Sequence, residues 1–367
     1  MYRLARALLF LLPAEAAHNL GILALRILGA FPPLCRWLRR RALPADDRLS
    51  VQLGTLRFPN PIGLAAGLDK NAVAVKGLYA LGFGAVEVGT LTPRPQPGNP
   101  KPRIFRLPEH SALINRMGFN NGGAASAAER LRALGGHPAP LGVNVGKNKD
   151  TPLEQAADDY LKCVETLGPL GDYVVLNASS PNTPGLRKLQ EPEQLAALLT
   201  RVRERLTQVA PGKPLFLKIA PDLSMEAVDE LVDVALACRV DGLIATNTTV
   251  ERPFEHALAK EAGGLSGRPV RDRSTAVIRR AFLRSGGRLP LIGVGGVFTA
   301  EDAYEKLRAG ASFVQVYTGF IYEGPGMVRR LLSGLEALLQ RDGFARVSDA
   351  IGRDASSADA PPAALKS

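Results

Sequence analysis

The feature that most constrains this sequence is a beat that starts at Pro61 and sounds eight times. A short β-branched or apolar run is followed by a polar or glycine-rich turn, and then by a helical apolar pattern. The strand-like runs fall at 62–66, 85–90, 141–145, 172–177, 214–219, 241–246, 290–294 and 312–317. Helical patterns fill the intervals, among them 151–167, 191–209, 224–237, 300–309 and 325–340. Eight such units in roughly 280 residues match a closed (β/α)8 barrel. A doubly wound sheet is the competitor, but no G-x-G-x-x-G follows the first strand, and eight is the number that closes. The expected class is therefore α/β, a (β/α)8 TIM barrel with a small N-terminal helical extension. Three segments are expected: residues 1–43, a helical extension; 44–351, the barrel; and 352–367, a polar Pro/Ala-rich tail without fixed structure.

The extension differs in composition from the rest. Arg3, Arg6, Arg26, Arg36, Arg39, Arg40 and Arg41 face one acid, Glu15. Between them lie L-L-F-L-L and L-G-I-L-A-L-R-I-L, both far short of the ~18 apolar residues of a membrane span. A signal peptide ending at Ala14-Glu15-Ala16 is one reading, although the apolar pattern continues past that point. A second is a pair of short helices that merely pack on the barrel. The preferred reading is a pair with an apolar face and a basic rim, lying on an anionic membrane surface. The net charge of +11 is carried by arginines spread along the chain, and aromatics make up only 6%, so nucleic acid is not an expected partner. The three cysteines (Cys35, Cys163 and Cys238) show no metal or redox spacing, and the four histidines are scattered, so no metal site is expected. A hairpin is expected over 51–58.

In a barrel, chemistry collects where strands end. The residues there are Lys70, Thr90, Asn144, Asn177 with Ser180 and Asn182, Lys218, Thr246-Asn247-Thr248, Gly295-Gly296 and Tyr317-Thr318-Gly319. The longest of these turns is N-A-S-S-P-N-T-P-G-L-R (177–187), whose amides suit the edge of a flat heterocycle and whose hydroxyls could move a proton. Asx and Ser/Thr turn chemistry around its prolines is the competing account. G-V-G-G (293–296) precedes T-A-E-D, a helix start with Thr299 as N-cap; with Y-T-G after strand eight it suggests a phosphate site. Lys218, closing an apolar strand, would meet developing negative charge or form a Schiff base. N-R-M-G-F-N-N (115–121) adds amides and Phe119 as a wall.

Together, A-A-G-L-D-K-N (65–71), N-R-M-G-F-N-N, G-V-N-V-G-K-N-K (142–149), the 177–187 loop, K-I-A-P-D (218–222), T-N-T-T (246–249), G-G-L-S-G-R-P (263–269), G-V-G-G and V-Y-T-G closely resemble the dihydroorotate dehydrogenase family. Serine at 180, where class 1 members carry cysteine, and the helical extension resemble the class 2, quinone-reducing type. The resemblance implies FMN held by Ala66, Gly67, Lys70, Thr90, Asn144, Asn177, Lys218, Thr246, Gly267, Gly296, Tyr317 and Thr318. It implies dihydroorotate met by Lys70, Asn115, Asn177, Asn182, Asn247 and Thr248, with neighbouring backbone from Arg116, Met117, Gly118 and Phe119. Ser180 would remove the C5 proton, with Thr183 and Phe119 framing a water path, and Lys218 would stabilise reduced flavin. A membrane quinone would approach between the N-terminal helices, with His18, Arg106 and Tyr317 as polar contacts; His18 could equally be a surface residue. The implied place is peripheral, on the cytoplasmic face of the inner membrane, in de novo pyrimidine biosynthesis, with no obligatory protein partner.

Overall fold

The computed structural model describes residues 2–356. Three helices come first: α1 (Tyr2–Leu11), α2 (Ala14–Gly29) and α3 (Pro32–Ala42). The sequence suggested two. Pro13 and Pro32-Pro33 explain the third, because a proline opens a helix well but cannot continue the one before it. The expected hairpin follows as β1 (Val51–Leu53) and β2 (Leu56–Phe58).

The eight barrel strands are β3 (Ile62–Leu64), β4 (Ala85–Leu91), β7 (Leu141–Val145), β8 (Tyr173–Asn177), β9 (Leu215–Ile219), β10 (Gly242–Ala245), β12 (Leu291–Val294) and β13 (Phe313–Val316). All are parallel, and β13 pairs with β3 to close the ring. Every residue of these strands is buried, which is why they read as continuous apolar runs rather than alternating ones. Helices α4 (Val75–Ala80), α5 (Ala124–Leu134), α6 (Ala156–Leu167), α7 (Pro192–Val209), α8 (Met225–Ala237), α9 (Arg271–Ser285), α10 (Ala300–Arg308) and α12 (Met327–Arg341) cover the outside. Large rings fill the lower barrel where a neighbouring strand carries glycine. A Cβ at Gly63 would lie 2.5 Å from the Phe313 ring, and one at Gly142 2.4 Å from that of Tyr173. Phe58 of the hairpin stacks on Phe313 at 4.4 Å and closes that end.

The opposite end carries an insertion absent from the sequence reading. β5 (Ile104–Leu107), β6 (Ala112–Asn115) and β11 (Gly264–Gly267) form an antiparallel sheet beside the mouth. A short helix, α11 (Thr318–Glu323), follows the last strand. The N-terminal helices dock here: α1 on α11, α2 on α4 and β5, and α3 on α4 and α12. The fit at α2 is close, since a Cβ on Gly77 would sit 2.0 Å from the Leu25 carbonyl oxygen. Among the described residues no single helix is long and apolar enough to cross a membrane, and α2 and α3 meet at 105°.

At the other terminus α13 (Val347–Ala350) leads into 351–356. The tail was expected to lack structure from residue 352. Instead Gly352 donates to the Leu307 carbonyl at 3.0 Å, Arg308 pairs with Asp354 at 2.6 Å, and Ala355 is buried. Residues 357–367 of that expectation lie outside the described residues.

Candidate active site

The C-terminal ends of the strands surround a cavity with about 1000 Å³ of free space, its open mouth included. The strand-one loop is rigid because Asp69 accepts from the N–H groups of Asn71, Val73 and Ala74. That rigidity presents Gly67, whose φ of +111° favours glycine, and Lys70, whose ammonium donates to the Gly67 carbonyl at 2.6 Å. The Tyr317 hydroxyl reaches the same carbonyl at 3.4 Å. Burial, reinforced by the Arg103 charge, lowers Lys70 to about 8, and burial pushes Tyr317 up to about 12.

The floor is a chain of amides and hydroxyls. Thr90 Oγ1 donates to Asn144 Oδ1 at 2.6 Å and accepts from Asn177 Nδ2 at 2.8 Å. Asn177 Oδ1 accepts from Ser179 Oγ and Asn247 Nδ2, both at 3.2 Å. Lys218 is buried in the cavity wall and makes no hydrogen bond or salt bridge to any described residue. Burial lowers its ammonium, so the site carries a costly, unpaired cation that an anion would relieve.

One wall is the 178–187 loop. Ser180 faces the cavity, 5% exposed, and its Oγ accepts from the Asn182 N–H at 3.2 Å. Asn182 leans on Asn115 Oδ1 at 3.3 Å. Arg187 holds the loop: it donates to the Ser179 carbonyl at 3.1 Å and the Thr248 carbonyl at 3.0 Å, and pairs with Asp222 at 2.7 Å. Phe119, with φ of +53°, walls the other side beside Met117 and Gly118.

The anion-binding expectation rests on G-V-G-G, Y-T-G and the start of α10, and the last of these is not available. Thr299 does cap α10, but Asp302 accepts from the N–H groups of Phe298 and Thr299, so that helix start is neutralised by its own carboxylate. The cavity is instead lined by Gly295, Gly296, Thr318 and Gly319. The N–H groups of Gly296, Thr318 and Gly319 make no hydrogen bond to another described residue. Buried orphan N–H groups of this kind suit phosphate oxygens.

Ala66, Gly67, Lys70, Thr90, Asn177, Lys218, Thr246, Gly267, Gly296, Tyr317 and Thr318 all line the cavity, as do Asn115, Met117, Gly118, Phe119, Ser180, Asn182, Asn247 and Thr248. Three of the expected residues stand back from it. Asn144 lies beneath the floor, and Thr183 is buried within the loop. Arg116 turns away to Glu261 at 2.5 Å and lies over the Phe105 ring. His18 and Arg106 are also outside the cavity. His18 lies near Lys70, and burial, with a contribution from that ammonium, lowers its imidazole to about 4, so it is neutral. Arg106 donates to the Phe10 and Leu12 carbonyls at 3.0 and 2.8 Å, pinning the elbow between α1 and α2. Sequence reasoning missed Ser266, Gln315 and Glu87. Glu87 and Gln315 sit inside otherwise apolar strands, where a single polar residue is the only trace.

The sequence model of one protein family, described as Dihydroorotate dehydrogenase, matches residues 48–339. A relative from Myxococcus xanthus named "Dihydroorotate dehydrogenase (quinone)" is 70% identical over 98% of this chain and 100% of its own length. One of the same name from Acidithiobacillus ferrooxidans is 52% identical over 96% and 99% of the two chains. Among solved structures, a dihydroorotate dehydrogenase from Eimeria tenella in complex with ferulenol superposes with a TM-score of 0.84, at 41% identity over 94% of this chain and 96% of that one.

Proposed function

The chain belongs to the dihydroorotate dehydrogenase family, and from that premise we infer that it oxidises dihydroorotate to orotate with a quinone as the final electron acceptor. The reaction removes a proton from C5 and a hydride from C6, and the quinone takes up two electrons and two protons. It is the oxidative step of de novo pyrimidine biosynthesis. One observation carries the reading: a buried hydroxyl, Ser180, is held against a cavity whose other walls are amides and an unpaired lysine.

FMN fits the cavity on two counts: the orphan N–H groups of Gly296, Thr318 and Gly319, and the unpaired Lys218 ammonium. When bound, it supplies the two-electron acceptor between pyrimidine and quinone. Ala66, Thr90, Asn177, Thr246 and Tyr317 would complete its setting, and Asn144 would support it by holding Thr90 and Asn177. Lys218 opposes negative charge in the site, an electrostatic contribution that a dry cavity strengthens.

The pyrimidine is held by Asn115, Asn177, Asn182, Asn247 and Thr248, with Lys70 for its carboxylate. Each amide offers both a donor and an acceptor to the ring edge. Ser180 Oγ takes the C5 proton and, being a weak base alone, passes its own onward; Thr183 and Phe119 border the route. Arg187 keeps the loop, and thus the hydroxyl, in register with the floor.

The quinone reaches the site beneath α1 and α2, where neutral His18 lies near Lys70 and Tyr317 touches the Gly67 carbonyl. The outer faces of the three helices support a peripheral position on an anionic membrane surface. Leu4, Leu8, Leu11, Leu23, Ile27, Phe31 and Trp37 are exposed there beside Arg36, Arg40 and Arg41. The reading places the chain on the cytoplasmic face of the cell membrane. Turnover with dihydroorotate and a short-chain quinone, compared with fumarate, tests the acceptor. Quinone should support turnover at least about a hundredfold faster, or about 2.7 kcal/mol in barrier; equal or faster turnover with fumarate contradicts the reading.

A further inference from the structure

Glu87 is a charge the mechanism above does not use. It lies in the middle of β4, fully buried, with no salt bridge to any described residue. Its carboxylate accepts two hydrogen bonds, from Asn144 Nδ2 at 2.8 Å and from Gln315 Nε2 at 2.6 Å. A buried charge with no paired cation is sustained only by such donors.

The consequence runs upward through the floor. Asn144 must turn its NH₂ toward the carboxylate, since the reverse flip would set oxygen against oxygen. Its Oδ1 therefore faces up, where it accepts from Thr90 Oγ1 at 2.6 Å. The Thr90 proton is then committed, so its oxygen accepts from Asn177 Nδ2 at 2.8 Å. Asn177 Oδ1 is thereby turned to Asn247 Nδ2 at 3.2 Å, and Asn247 Oδ1 to the Thr248 N–H at 2.8 Å. Each amide of the floor has one polarity, and Glu87 is the first term of the series. The same network reaches Lys218: Asn177, which also donates to Asn144 Oδ1 at 3.3 Å, is the register partner of Lys218 across β8 and β9, and the Glu87 charge opposes the burial that lowers that ammonium.

We propose that Glu87 is a positioning residue with two separable effects: its hydrogen bonds fix the polarity of the amides that bind the pyrimidine, and its charge offsets part of the Lys218 charge, holding the reduction potential of bound FMN below the value Lys218 alone would set. The proposal rests on the functional reading above.

Two substitutions separate the effects. Glu87→Gln removes the charge and keeps the geometry. Among the described residues Gln315 Oε1 has no hydrogen-bond partner, so Gln315 can turn to accept from the new amide while Asn144 still donates to its carbonyl. Glu87→Asp keeps the charge but is one methylene shorter and cannot reach both amides. The measurements are the midpoint potential of bound FMN, by anaerobic spectroelectrochemistry, and orotate affinity, by perturbation of the flavin spectrum. Glu87→Gln should raise the potential and leave the orotate Kd within about twofold. Glu87→Asp should leave the potential near wild type and weaken orotate about tenfold, the worth of one hydrogen bond. Either variant, recovered as a flavoprotein, tests its own half. A merely structural role would move both readouts together in both variants. An unmoved potential in Glu87→Gln, or wild-type orotate affinity in Glu87→Asp, overturns the inference. A wild-type protein that takes up no flavin overturns the functional reading itself, which is a different outcome from a wild-type flavoprotein indifferent to Glu87.

Discussion

On the proposed reading single side chains set the chemistry, and Ser180 and Lys70 are where it can be tested. Ser180 has one hydrogen bond, accepted from the Asn182 N–H, which leaves its O–H and one lone pair for the cavity it lines. Ser180→Ala should slow reduction of the flavin by dihydroorotate by about 10²–10⁴-fold, the usual contribution of a positioned base. Orotate binding should persist, because amides and Lys70 make those contacts; stopped-flow absorbance with an orotate titration checks both. Lys70 gives a pH prediction. Its ammonium is lowered to about 8 by burial first, and then by Arg103. Above that pH the ligand-free protein loses this cation, so orotate affinity should fall as pH rises through about 8 and be flat below it. Lys70→Met should bind weakly at every pH and show no such limb. Both residues were legible in the sequence, since each lies in the polar turn that follows a strand. Glu87 was not, because a lone acid in A-V-E-V-G-T does not reveal which way it points. Arg116, expected to offer its backbone, does not line the cavity, and its side chain leaves for Glu261.

At the scale of elements, the eight barrel strands were readable because burial on both faces makes each an unbroken apolar run. The sheet of β5, β6 and β11 was not, because its strands are four residues each and two of them pair with partners across about 150 residues of chain. On the proposed quinone path the hidden element has a part. β5 supplies Arg106 to the α1–α2 elbow, and α2 crosses α4 at Gly77, where only glycine admits the Leu25 carbonyl. Gly77→Val should lift α2 off the barrel. Reduction of the flavin by dihydroorotate should stay within a few-fold of wild type, while reoxidation by quinone falls by about tenfold or more. Rapid-mixing experiments on the two half-reactions separate these, and unchanged reoxidation would remove the N-terminal helices from the quinone path.

The whole molecule joins a buried redox cavity to an apolar, basic outer face. Its net charge is +11, and Arg36, Arg40 and Arg41 cluster on α3 beside exposed Leu34 and Trp37. Co-sedimentation should show binding to anionic vesicles that weakens between about 0.05 and 0.5 M salt as screening shortens the reach of those charges. Equal binding to neutral vesicles would assign the attachment to apolar contact alone. The two surfaces are useful to each other only if electrons leave the cavity for a lipid-soluble carrier, and that is the central claim. The most direct test is one anaerobic cuvette of full-length protein in mild detergent, followed by visible absorbance. The account predicts a flavin spectrum that bleaches on adding dihydroorotate and returns on adding a quinone. A flavin that bleaches but recovers only with fumarate, or a colourless protein that FMN cannot reconstitute, would contradict it.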